Sequence, residues 1–478
     1  MPYIFHIRQG VHYALDPDSE ASRLVNGREL TADDVVYSYQ RLTAQGDFTE
    51  RPLKPGPLFN LPWESIEATN KYTVVMKMTR LSLDALHPIL NANQNWILPR
   101  DVIEHYGNYE DWKNVVGTGP FILTDYVEGV SKTFTKNPDH WDYDEKYPEN
   151  RLPYVDQLRA ILMAEEATRI SAMRTGKVDI IQHAGVVDIG NMDVIRSLRR
   201  TNPEIEVHSY YQRAFQVFTL NLRNAPFDDV RVRHALQMAL DLETINDTYF
   251  GGFADWENPR WIGIKGYYTP FEEWPEELKQ YYRYDPEGAE KLLDEAGYPR
   301  GADGIRFTAE YTHRDVIDLG YTEIAASYWA DIGVEVTTRI VDTGTWVAAK
   351  ADTAYEMATG DMSHPGFWSI NQHRNSNPFS REYLACSDPC AIDTSVLDVA
   401  ADAFHAATTL EEQMEASKAY DMSVIEQHNQ IWGPLAPQFQ ANNPWVKGYN
   451  GEYSLGELQY HTVLARLWID QELKDRTQ

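Results

Sequence analysis

Cysteine is almost missing from this chain: two occur in 478 residues. Cys386 and Cys390 stand four apart, with no second cysteine pair or His-rich run nearby to complete four ligands, so a zinc site is poorly supported. The pair itself leaves two readings open, free thiols in a loop or a short-loop disulfide in an exported protein. Apolar runs long enough to cross a bilayer are absent. Positive charge is scarce as well, with 43 Lys and Arg against 72 Asp and Glu, a net charge of −29 at pH 7. A surface of that sign repels polyanions, which argues against nucleic-acid binding. The usual signatures of catalysis are also lacking: the sequence has no Gly-x-Ser-x-Gly elbow, no His-Glu-x-x-His and no Walker loop. Gly117-Thr118-Gly119-Pro120 enters a strand pattern rather than a helix and is not followed by Gly-Lys-Ser/Thr, so it is no phosphate cradle. Neither metal nor cofactor is expected.

What remains is the composition of a folded protein, 43% hydrophobic and 12% aromatic, in a length that implies two or three packed units. The amino terminus, Pro2 to Arg8, alternates like a strand and lacks the basic and apolar regions of a signal peptide. Taken alone, that start predicts a soluble, cytoplasmic chain, provided that Met1 is the true beginning.

Helix and strand signals then alternate. Thr31 with Asp34 three residues on forms a capping signature before Val35, Val36, Tyr39 and Leu42 at helical spacing. Tyr72–Met78 alternates as a strand. Ala164–Thr175 predicts a helix stopped by Gly176 and feeding the strand Val178–Ile181. The same grammar recurs at Asp285-Pro286, which opens a helix closed by Gly297, and at Thr322–Ile332, which ends at Gly333 and gives the strand Val334–Ile340. Two helical patterns, Ser395–Ala407 and Leu410–Gln427, precede a tail expected to be rich in strands. Such alternation argues for an α/β architecture.

The acid pairs Asp33-Asp34, Glu165-Glu166, Asp228-Asp229 and Glu272-Glu273 lie near helix starts, where negative charge is favoured, and read as capping rather than catalysis. The Gly/Pro-rich segment Gly360–Trp368 combines Asp361, His364 and Trp368, a mixture suited to a polar pocket with a stacking wall. The alternative is a connecting loop whose aromatics plug the core. As chemistry, Asp361 and His364 would serve an acidic hydrolase as an acid/base pair, although no nucleophile accompanies them.

At Phe5-His6-Ile7-Arg8-Gln9-Gly10-Val11, followed by Leu30-Thr31-Ala32-Asp33-Asp34-Val35-Val36-Tyr37-Ser38, the sequence resembles the family 5 extracellular solute-binding proteins of ABC transporters, the oligopeptide, dipeptide and nickel-binding group. Further blocks follow in family order: Gly117–Phe121, Asn137–Trp141, Leu152–Asp156 and Met173–Ile180. The most specific runs from Asn221-Leu222 through Ala225-Pro226-Phe227-Asp228-Asp229 to Asp241, and Pro444–Tyr449 closes the set. These motifs read as scaffold, because Pro226 and the acids supply a helix start and Val230, Val232, Ala235, Leu236, Ala239 and Leu240 its buried face.

The resemblance implies a type II periplasmic-binding-protein fold, α/β, with two lobes joined by a hinge and an extra subdomain. Residues 1–112 would form that subdomain, 113–213 and 447–478 the first lobe, and 214–446 the second. It further implies a non-enzymatic, monomeric carrier in the periplasm or outside the cell, lipid-anchored or free, that encloses a peptide-like or oligosaccharide-like solute between its lobes and delivers it to the permease subunits of an ABC transporter. Use of the same closed form to dock on a sensory receptor is an alternative. Family members carry several dozen residues before the counterpart of Tyr3, so this chain is expected to lack an amino-terminal part, export signal included.

For the site, the resemblance implies that Trp346 lines the pocket and that Phe215 and Phe218 lie on the strand of aromatic contacts. Peptide-binding relatives place a Trp and an Asp in the loop corresponding to Gly360–Trp368. Asp361, His364 and Trp368 are the expected contacts there, although the family's Trp-x-x-Asp spacing is not kept. Stacking would fall to the aromatic residues, and hydrogen bonding or ion pairing to Asp361 and His364.

Overall fold

The computed structural model describes residues 2–48, 61–80, 82–83, 85–91, 95–163, 165–181, 192–256, 265–315, 319–360, 370, 394–452 and 460–477. Its strands are β1 Pro2–His6, β2 Trp63–Asn70, β3 Thr73–Met78, β4 Phe121–Val127, β5 Ser131–Lys136, β6 Gln157–Ile161, β7 Ile180–Ile181, β8 Glu206–Leu220, β9 Phe307–Arg314, β10 Val334–Val341, β11 Met357–Thr359, β12 Gln430–Asn442, β13 Val446–Lys447 and β14 Trp468–Ile469. The chain divides into two units. Met1–Ala184, Ser197–His208 and Gln440–Gln478 form the first, and Gly185–Arg196 with Ser209–Phe439 the second. β8 and β12 each contribute residues to both units.

In the first unit β1, β3 and β2 form an antiparallel sheet with β3 in the middle. Alternation along β3 puts Val74, Met76 and Met78 on one buried face. The capping signature of the first long helix is realised in Ala32–Thr43, where the Asp34 carboxylate accepts from the Thr31 amide at 2.9 Å. Asp34 is buried and is matched by Arg28, which lies 2.6 Å from both Asp34 and Asp101. A second antiparallel sheet joins β4, β5 and β6, and β7 pairs with the carboxyl end of β12 through Ile181 and Ala441.

The tail departs from expectation. After β12 the short pair β13 and β14 is accompanied by the helices Tyr460–Arg466 and Gln471–Thr477. Asp470 starts the last of these by accepting from the Leu473 amide at 3.0 Å, and Glu, Leu, Lys and Arg in the following run are strong helix formers.

The second unit is built on a sheet in the order β10-β9-β11-β8-β12. β10 and β11 both run parallel to β9, whereas β8 runs antiparallel to β11. The helix Gly320–Asp331 provides the crossover from β9 to β10, and the turn out of it needs Gly333 at φ +83°, where a Cβ would press on the Gly304 carbonyl at 2.8 Å. Trp329 on that helix is wholly buried, with its ring centroid 4.8 Å from that of Phe218 and its indole N–H donating to the Leu236 carbonyl at 2.9 Å. Asp229 starts the helix Val230–Met238 by accepting from the Arg231 amide at 2.8 Å. Asp285 does the same for Pro286–Glu295, and Thr409 with Glu412 forms a capping box for Leu410–Gln427.

Candidate functional site

Parallel strands end together, and the carboxyl edge of such a sheet is where α/β folds gather ligands, because loops and helix starts converge there. In the second unit this edge is formed by Arg314 at the end of β9, Val341 at the end of β10 and Thr359 at the end of β11. The Asp315 amide donates to the Val341 carbonyl at 2.9 Å, which ties two of the exits together.

The helix Thr343–Ala351 begins at this edge. Its N-cap, Asp342, accepts from the Gly344 and Thr345 amides at 2.8 and 3.0 Å and from the Thr345 hydroxyl at 2.6 Å. The Thr345 hydroxyl, helped by those amides, holds the Asp342 carboxyl below the usual carboxylate range. The cap fixes the first turn, and with it Trp346.

Trp346 is 5% exposed and its indole N–H donates to the Thr359 carbonyl at 3.3 Å. Arg314 covers the ring, with its guanidinium carbon 5.1 Å from the ring centroid, and Lys350 places its ammonium 4.7 Å from the same centroid. Two cations on one indole is a cation–π arrangement, favoured further by burial. The Arg314 Nε donates to the Thr343 hydroxyl at 3.1 Å, so the guanidinium plane is set from two sides. Beneath it the Thr359 hydroxyl accepts from the Arg314 amide at 3.0 Å and from the Tyr311 hydroxyl at 3.1 Å. Burial pushes the Tyr311 phenol up to about 12, which keeps it a donor at neutral pH.

Among the described residues no carboxylate lies within ion-pair distance of Arg314. Its terminal N–H groups present the fork that matches a carboxylate bidentately.

Of the residues expected at the site, Trp346 stands at this edge. Phe218 is a core residue: its ring is 1% exposed and packs against Tyr311, Tyr321 and Trp329. Phe215 lies in β8, but its side chain is outside the described residues. Asp361, His364 and Trp368, and also Cys386 and Cys390, are outside them as well. The described chain leads to that loop through Gly360, whose amide donates to the Val217 carbonyl at 2.7 Å. Arg314 and Lys350 were missed by sequence reasoning. The available signal was the position of Arg314 as the last residue of a strand that a helix follows, which is where the carboxyl-edge rule looks. No group of three or more His, Cys, Asp or Glu that could hold a metal ion occurs among the described residues, and none of their helices is long and apolar enough to cross a membrane.

Residues 2–376 match the family model described as bacterial extracellular solute-binding proteins, family 5, middle. Heme-binding protein A of Haemophilus influenzae is 26% identical over 491 aligned residues, covering 94% of this chain and 79% of that protein. The periplasmic oligopeptide-binding protein OppA of Salmonella typhimurium is 22% identical over 483 residues, covering 95% and 80%. Among solved structures, the periplasmic binding protein DppA of Helicobacter pylori in complex with the peptide STSA superposes with a TM-score of 0.75 at 19% identity, covering 98% of this chain and 86% of that one. The fold is thus the α/β fold of periplasmic binding proteins, and the relatives matched are named as binding proteins rather than enzymes.

Proposed function

Because this chain belongs to family 5 of the bacterial extracellular solute-binding proteins, we propose that it captures a peptide-like solute by a carboxylate group and delivers it to the permease of an ABC transporter. The relatives are named for heme, oligopeptides and a bound peptide, so membership alone does not choose the solute. The observation that carries the choice is Arg314, layered on the buried Trp346 and held through Nε by Thr343. A guanidinium fixed in this way offers two parallel N–H donors to a planar anion. A neutral oligosaccharide would offer this cation no counterion. The protein works without catalysis outside the cytoplasmic membrane, and as a monomer.

Isothermal titration of the full chain with tetra-alanine, its carboxamide and maltotetraose tests the reading. The free acid is expected to bind, and Arg314→Gln to weaken it tenfold or more, as loss of a charge-assisted hydrogen bond of about 1.5–3 kcal/mol requires. Binding of the sugar with no binding of either peptide would overturn it.

A further inference from the structure

The helix Leu410–Gln427 ends at His428, whose backbone turns left-handed at φ +43° and whose side chain has no exposure. Arg233, 1% exposed on the helix Val230–Met238, reaches that end. Its Nε donates to the His428 carbonyl, its Nη2 to the Gln427 carbonyl and its Nη1 to the Phe227 carbonyl, each at 2.8 Å. His234 lies beside it, stacked on Tyr281 at 3.5 Å and 9°, with its ring centroid 5.0 Å from that of His428. Tyr282 packs on the other imidazole at 5.3 Å. Among the described residues neither ring nitrogen of His428 has a hydrogen-bond partner, and neither has Nε2 of His234.

We propose that Arg233, His234 and His428 form an acid-released clamp that holds the end of the helix Leu410–Gln427 against the helix Val230–Met238. One cation, Arg233, is accommodated here by backbone carbonyls. Among the described residues a second has no counterion. The charged groups whose fields reach the imidazoles are Arg233, which opposes protonation, and Asp229, with Asp228 acting on Arg233. Asp229 is already engaged by Arg231 and by its own capping bond. Burial, then Arg233, pushes His234 down to about 3, and burial, then His234 and Arg233, pushes His428 well below its ordinary value. Both rings are therefore neutral in the closed clamp at neutral pH. Once the corner opens they regain the ordinary imidazole value of about 6.5. The clamp is fully closed above that value and loses its hold as pH falls below it, by linkage up to about tenfold in opening per pH unit for each imidazole.

Hydrogen exchange of the full chain at pH 7.5 and 5.5, corrected for intrinsic exchange rates, tests this. Protection of amides in 230–235 and 427–432 should fall about 10- to 100-fold at the lower pH, one decade for each imidazole, while β9 and β10 keep theirs. His428→Asn keeps a residue that tolerates the left-handed turn and His234→Phe keeps the stack on Tyr281, so the double variant should lose the pH dependence. Equal protection of the wild-type chain at both pH values, an equal loss in β9 and β10, or a double variant as pH-sensitive as wild type would each overturn the clamp. Should the double variant not fold, His234→Phe alone is to remove about one decade of the effect, and failure to do so overturns it equally.

Discussion

Trp329→Phe isolates a single hydrogen bond within a closely packed core. The indole N–H donates at 2.9 Å to the carbonyl of Leu236, in the last turn of the helix Val230–Met238. The backbone amide that would otherwise take that carbonyl, Leu240, donates to Gln237 instead, at 3.1 Å. Phenylalanine keeps the aromatic edge against Phe218 and removes the donor, so a buried carbonyl is left without a partner. An orphaned buried acceptor costs about 1–3 kcal/mol. The smaller ring gives up roughly 40 Å² of buried apolar area, about 1 kcal/mol at 25 cal/mol per Å². The expected destabilisation is about 2–4 kcal/mol, which for a unit of this size lowers the melting temperature by about 4–16 °C. Differential scanning calorimetry of the full chain, with urea titration followed by fluorescence, measures it. Trp468→Phe serves as the control, since that side chain is 46% exposed and should shift the transition by less than 2 °C. A Trp329→Phe chain that melts within 2 °C of wild type would refute the assignment of this hydrogen bond to core stability.

Three further outcomes test local features. Gly448 sits at φ +78° with the Arg466 carbonyl where a Cβ would go, so Gly448→Ala should destabilise by about 1–3 kcal/mol. At Gly117 nothing lies within 4 Å of a built Cβ, and the same change should stay within about 0.5 kcal/mol by urea denaturation. Glu290 is held at about 2 by the Arg300 side chain, with Arg306 assisting and burial opposing. Its carboxylate adds stability above its ordinary value near 4.5 and loses that contribution as pH falls toward 2. Glu290→Gln should therefore flatten the stability profile between pH 4.5 and 2.5. A variant that loses stability over that window as steeply as wild type would show that the ion pair does not couple to folding.

The elements that were legible from sequence are those whose boundaries carry their own chemistry. Thr31 with Asp34, Asp285 before Pro286 and Gly333 after Trp329 each satisfy or release backbone groups within a few residues, so their effect is local and readable. The last helix, Gln471–Thr477, carried its signal in Asp470, yet six polar residues with a single leucine offer no apolar period to find. Phe218 shows a different limit. Aromatic residues in a strand are required equally by a binding wall and by a core, and only the packing of Tyr311, Tyr321 and Trp329 around the ring assigns Phe218 to the core.

The candidate site was half legible for a related reason. Trp346 stands in the first turn of a capped helix, and both cap and turn are written in adjacent residues, Asp342 to Trp346. Arg314 has no such local signature. It becomes a candidate because β11 pairs parallel to β9, Met357 beside Tyr311, which brings Thr359 under its backbone and the Trp346 indole under its guanidinium. A pairing between strands distant in sequence decides which side chains share an edge, and an alternation pattern records only which face each strand turns inward. In a chain carrying a charge of −29, the candidate cation is distinguished by where the parallel strands end rather than by composition.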